Sequence, residues 1–123
     1  MATDPNRLAG VATVTVDGKS FSISGEGTYQ LSGTKREPLI GQSGYDGYSE
    51  IPQPGNISWQ GRDANHVDIA ALNEATNVTV VLSLANGKTV TGRNMARIGD
   101  PIVVKTDDAT FPAEFIGPDV SVF

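Results

Sequence analysis

Two dipeptides constrain this chain more than any other feature. Asp17-Gly18 and Asn86-Gly87 each lie between runs in which apolar and small polar residues alternate. Both pairs tolerate the positive φ of a tight turn, and the strands that flank such a turn pair antiparallel. Residues 11–16, Val-Ala-Thr-Val-Thr-Val, have the period of a half-buried strand. Beyond the first turn, Phe21 and Ile23 alternate with Ser20, Ser22 and Ser24. The strand is expected to run on through Glu26 and Thr28 to Leu31, with Gly25 and Gly27 marking a bulge or bend. Residues 77–84, Asn-Val-Thr-Val-Val-Leu-Ser-Leu, are dense in β-branched side chains. Residues 88–91 return from the second turn and extend toward Met95 or Ile98.

The remaining elements are fewer. Residues 56–60, Asn-Ile-Ser-Trp-Gln, read as another strand. Between Asp63 and Thr76 the period changes, and Val67, Ile69, Ala70, Ala71 and Leu72 fit one helical face, with Asn65 or Asp63 as the cap. Gly99-Asp100-Pro101 is a break, and Ile102-Val103-Val104 a short strand or extended piece. Residues 110–116 form a last strand with Phe111, Ala113 and Phe115 on one face. Pro112 cannot donate to a ladder, so this strand is expected at an edge, or to begin there. The pattern is mainly β: a β-sandwich or barrel with one short flanking α-helix. With 123 residues, 38% of them hydrophobic, the chain supports a single domain, 1–123, around one core.

One stretch resists assignment. Residues 34–55, TKREPLIGQSGYDGYSEIPQPG, are rich in Gly, Pro and Tyr, with only Leu39, Ile40 and Ile51 as aliphatic anchors. Structureless loops beyond about 12–15 residues are uncommon in compact domains unless they are functional or disordered.

Chemistry is sparsely provided. With no cysteine there is no disulfide, thiolate metal site or thiol nucleophile. His66 is the one histidine; with Asp68, Asp63 and Glu74 it reads as the solvated start of a helix, and a tetrahedral zinc site lacks its partners. Asp107-Asp108 lacks the spacing of a calcium loop, and no nucleophile-elbow or phosphate-binding glycine motif is present. No catalytic residue, metal or cofactor is expected. Asn56-Ile57-Ser58 and Asn77-Val78-Thr79 match the glycosylation triplet, a pattern that is common by chance. A net charge of −5 disfavours sequence-specific nucleic-acid binding. Lys88, Arg93 and Arg97 precede Asp100, Asp107, Asp108, Glu114 and Asp119, a separation that would suit head-to-tail contact between copies or ordinary surface scatter. The N-terminus lacks a signal-peptide pattern and no apolar run is long enough for a membrane span, so a soluble product without a membrane anchor is expected, starting in a cytoplasm. Tyr45, Tyr48 and Trp59 could stack on a sugar, as in a monomeric β-sandwich carbohydrate-binding module, or serve as interface or core residues.

The ordered set of segments resembles the tail tube proteins of contractile-tailed, Mu-like bacteriophages and related tailocins. VTVDGKSFSISGEG is similar to the opening hairpin of that family. The Lys-Arg-Glu segment and the Gly- and Tyr-containing stretch after it resemble the next part. DIAALNEATNVTVVLSLANGKTVTG resembles the helix, strand and turn that follow, and DDATFPAEFIGPDV the closing strand. Residues 94–97, Asn-Met-Ala-Arg, depart from a more apolar, aromatic stretch of the family. The resemblance implies a structural virion protein, not an enzyme, which self-assembles into stacked hexameric rings. These would form the inner tube of a contractile tail, a conduit for DNA or a puncturing needle. It implies sheath, baseplate or tube-initiator and tape-measure partners, DNA passing without specific binding, and assembly in the bacterial host cytoplasm.

On that reading, the lumen candidates are Thr13, Thr15, Ser20, Ser22 and Ser24 from the first hairpin, and Thr79, Ser83, Lys88 and Thr91 from the second. Residues 34–55 become an assembly arm, mobile in the free subunit and ordered on stacking. Lys35, Arg36 and Glu37 would supply polar pairs, and Leu39, Ile40, Tyr45, Tyr48 and Ile51 would insert into a neighbour.

Overall fold

Alternation along the strands sorts apolar from polar side chains. In the computed structural model, which describes residues 11–21 and 23–123, it builds one curled sheet with its apolar face inward. In chain order the elements are β1 Val11–Val16, β2 Lys19–Phe21, β3 Ile23–Gln30, β4 Gly33–Gly41, β5 Gly44–Gln53, β6 Gly55–Arg62, α1 Ile69–Asn73, β7 Val78–Leu84, β8 Thr89–Arg97, β9 Thr110–Gly117 and β10 Asp119–Val122. The main sheet runs β2-β1-β7-β8-β9-β6-β3, with β10 added to β8. β2 at one end faces β6, the strand next to the other end, across the core: the ring of Phe21 lies 5.3 Å from that of Trp59. The result is a sandwich that is nearly a barrel, filled by Val14, Leu82, Val90, Ile57, Phe111 and Phe115, all fully buried.

Both expected turns form. Asp17 and Gly18 each take positive φ, and Val16 pairs with Lys19. At the second turn only Gly87 does so; Gly87 N–H donates to Leu84 C=O, and Leu84 N–H to Lys88 C=O. The loop there is therefore longer than the two residues that an Asn-Gly pair suggests. The register of β3 against β6 shifts between Ile23 and Gly27, where the glycines suggest a bulge.

A seam joins the two halves of the sandwich. Ile116 sits opposite Ala96, Asp119 opposite Arg93, and Val122 opposite Val90, so β9 and β10 run past β8 in one unbroken register. Pro118 only kinks the strand. Its first part also pairs with β6, from Gly117 opposite Gly55 to Thr110 opposite Arg62. β8 itself bends at Asn94, whose φ of 54° lies in a region that asparagine tolerates. The bulge turns Met95 fully into the core, so the polar Asn94-Met95-Ala96-Arg97 stretch has a packing role.

Three expectations need correction. Residues 34–55 are not irregular: β4 and β5 form a hairpin paired from Gly33 opposite Gln53 to Gly41 opposite Gly44, separate from the main sheet. In the single chain the arm is thus already paired. The helix is five residues, capped by Asp68, whose carboxylate accepts from Ala71 N–H at 3.1 Å, rather than by Asp63 or Asn65. Only Leu72 of that helix is buried. Finally, β9 lies between β6 and β8 and is not an edge strand. Pro112 is tolerated because the far side of β9 is bonded only to either side of it, at Glu114 by Ile98 N–H and at Thr110 by Lys105, while at the proline itself β6 is the sole partner.

Candidate functional site

The β4–β5 hairpin is exposed along nearly its whole length. Residues directly opposite in an antiparallel pair share a face. One face carries Arg36, Glu50, Pro38, Tyr48, Ile40 and Tyr45; the other carries Lys35, Ile51, Glu37, Ser49 and Leu39. The predicted arm residues are therefore split. Ile40, Tyr45 and Tyr48 gather toward the tip of the first face, and Leu39 and Ile51 lie on the second. Ile40 and Tyr45 are 69% and 67% exposed, so the tip is an apolar surface without cover in the monomer. Lys35, Arg36 and Glu37 do not wait for a neighbour. Lys35 pairs with Glu37 at 3.4 Å, Arg36 with Glu50 at 3.2 Å, and the Arg36 guanidinium lies 5.6 Å from the Tyr48 ring centre. These contacts stiffen the hairpin and orient Tyr48.

The hairpin is rooted at one point. Ser32, just before β4, bonds the backbone of Val120 through its hydroxyl and its N–H. At Gly55, just after β5, a Cβ would stand 2.5 Å from Val120 Cβ and 2.6 Å from Gln30 O. Only glycine lets the returning chain approach β10 so closely.

The lumen candidates share another surface. With Val14, Val16, Val80, Leu82, Val90 and Val120 buried, the alternate positions of β2, β1, β7, β8 and β10 face outward. Those positions hold Thr13, Thr15, Ser20, Thr79, Ser83 and Thr91. Ser20, Thr15, Val81, Thr91 and Ser121 form one cross-strand row. Lys88 is exposed in the second turn, at one end of this face; Arg93 and Asp119, 4.0 Å apart, stand at the other. Between them the face is uncharged. Ser22 lies outside the described residues, as does the side chain of Ser24. Sequence reasoning missed Thr89 and Ser121. The first continues a visible alternation, and the second lies on a strand that was not foreseen.

Other candidates separate. Trp59 is buried and stacks among Phe21, Phe111 and Phe115, so it cannot form a sugar platform with Tyr45 and Tyr48. No group of His, Asp and Glu suited to a metal occurs among the described residues. Arg93 meets Asp119, and Arg97 donates to the carbonyls of Ile98 and Asp100, so much of the apparent charge separation is resolved inside one chain.

One apolar groove stands out, about 650 Å³, between α1 and the β1–β2 turn. Val16, Phe21, Leu72 and Val78 contribute to its floor, with Lys19 and His66 at its rim.

A family model described as phage tail tube protein matches residues 5–122. Comparison with curated protein sequences finds no significant match. Solved structures share the fold at low identity. The chain is similar to one in the extended sheath/tube terminator of an extracellular contractile injection system, PVC, with a TM-score of 0.62 and 14% identity over 90% of this chain and 91% of that one. The anti-feeding prophage cap, a tube-terminating cap, gives a TM-score of 0.62 and 12% identity over 98% and 95%. The extended PVC sheath-tube complex gives 0.56 and 13% over 90% and 86%.

Proposed function

This chain belongs to the phage tail tube protein family, and from that premise we propose that six copies close into a ring and that rings stack into the inner tube of a contractile tail. The chain is a structural component of the tail; its chemistry is that of surfaces. The observation that carries the reading is the Ser/Thr face of β2, β1, β7, β8 and β10, uncharged between its two ends and set against a reverse side that buries Val14, Val16, Val80, Leu82, Val90 and Val120. Such a face suits a water-filled bore. Polyphosphate must slide there, and basic rings would hold it through counterion release. The tube conducts DNA without specific binding or serves as a puncturing needle. The surrounding sheath, a baseplate or tube initiator, and a tape-measure protein are its partners, and it assembles in the host cytoplasm.

The exposed hairpin supplies the contact between copies. A lone chain with two tyrosines and three aliphatic side chains bared on a two-stranded ribbon presents a binding surface, and a second copy is the partner that a tube requires.

Negative-stain electron microscopy across a concentration series, with mass by light scattering, tests this. Hollow tubes or six-fold rings are expected, at the latest when a tube initiator is added. A chain that stays monomeric at every concentration with the initiator present overturns the reading. Deleting residues 38–50 should abolish tubes while the sandwich stays folded; tubes that survive the deletion overturn the role of the arm.

A further inference from the structure

We propose that the hairpin tip of one copy seats in the groove between α1 and the β1–β2 turn of its lateral neighbour in the same ring. This rests on the tube reading above and adds where the arm goes. The hairpin and the groove sit at opposite margins of one sheet. Lys19, Val16, Val80, Gly92 and Val120 form a cross-strand row. The groove includes Lys19 and Val16, and the hairpin is rooted on Val120. Four strand spacings separate these margins, roughly 19 Å. A surface at one margin that fits its complement at the other is a heterologous contact, the kind that closes into rings.

The occupant is argued from three observations. The hairpin has the reach: nine residues of β4 extend about 30 Å, enough to cross a subunit boundary and the two strands beyond it. The chemistries match. The tip offers Ile40 and Tyr45, and the groove floor offers Val16, Phe21 and Leu72. Charges match too. Asp46 beside Tyr45 and Lys19 on the rim are in no ion pair among the described residues, whereas the carboxylates of Asp17 and Asp68 already accept from Thr79 and Ala71 N–H groups. Ser32 also occupies the outer backbone groups of Val120, so strand addition at that point is blocked and side chains must carry the contact.

The chain has no cysteine, so an introduced pair reports alone. Tubes of the Tyr45→Cys, Ala71→Cys double variant are oxidised and run without reductant. A covalent ladder that stops at one ring's complement of subunits is expected. A ladder without limit places the tip on the next ring and overturns the lateral contact. Tubes without cross-links overturn the groove as the receptor, while the tube reading itself stands. Ile40→Cys with Ala71→Cys serves if the first pair does not assemble. If neither does, hydrogen exchange on wild-type tubes decides: residues 39–48 and 67–78 must both gain protection on assembly, and protection of only one overturns the proposal. Failure of wild-type protein to form tubes at all would instead sink the reading on which this rests.

Discussion

Ser32 closes both backbone groups of Val120. Its hydroxyl accepts from Val120 N–H at 3.2 Å and donates to the carbonyl at 3.3 Å, and its own N–H reaches that carbonyl at 3.2 Å. Ser32→Ala orphans the Val120 N–H and leaves its carbonyl with the backbone N–H of residue 32 alone, and a loss of about 1–2 kcal/mol is expected. Ser32→Thr keeps the hydroxyl and should lose less. Urea midpoints at unchanged slope measure the difference. An unshifted midpoint in Ser32→Ala would show that water reaches this edge.

Gly55 and Val120 should be energetically coupled. Gly55→Ala forces a Cβ against Val120 and the Gln30 carbonyl, an overpacking expected to cost about 1–3 kcal/mol. Val120→Ala relieves part of that clash while opening a small void. The double variant should therefore be more stable than the two single losses predict, by about 0.5 kcal/mol or more. Strict additivity in denaturant unfolding would disprove the close approach.

The aromatic residues divide by role. Trp59→Ala empties the centre of the core and should cost about 3–5 kcal/mol in thermal or chemical unfolding. Tyr45→Ala changes an exposed side chain and should alter monomer stability by less than about 0.5 kcal/mol, while tube yield in sedimentation falls severalfold. A stable Trp59→Ala protein would contradict the packing described.

A charge on the Ser/Thr face should impair passage without harming the fold. Thr13 is exposed there, so Thr13→Lys should leave the unfolding midpoint of the monomer nearly unchanged. If six copies line a bore, the substitution adds a ring of cations that retards polyphosphate, and particles carrying it should eject DNA more slowly in a fluorescence release assay. Unaltered ejection from assembled particles would place this face outside the bore.

Acid titration has one marked residue. The Thr110 hydroxyl donates to Asp108 at 2.7 Å, and chiefly this bond holds the Asp108 carboxyl below the ordinary carboxylate range. Because the folded pKa lies below the unfolded one, the bond stabilises the fold above the ordinary range, and that contribution is lost as pH falls through the folded value. Thr110→Val should move the Asp108 carboxyl resonance titration upward. No movement would assign the depression to the weaker backbone and Lys105 contributions.

What the sequence disclosed follows from burial. β1, β7, β8, β6 and β9 each bury one face, so selection for a core writes a two-residue period into them. The hairpin 33–53 buries neither face, and its alternation of Arg36, Pro38 and Ile40 carries no such record. The pairing of Arg36 with Glu50 became visible only with the register. β10 is not legible in the sequence, because four residues after a proline give too short a pattern, although its Val120 is buried. The helix is shorter than its apolar stripe suggests, since Val67 packs on the core from a loop and Ile69 from the first turn of α1, mimicking a longer helical face. Trp59 offered two chemistries in the sequence, and the crowding of three phenylalanines around it chose one.

The unbroken strand from Thr110 to Val122 has a mechanical meaning. It is bonded to β6 along its first part and to β8 along its second, so the two halves of the sandwich cannot part by peeling one rung at a time. A pull along the strand loads many rungs together, in shear. A subunit built around such a spine resists a pull along it, and the backbone bend at Pro118 marks where the spine passes from one layer to the other.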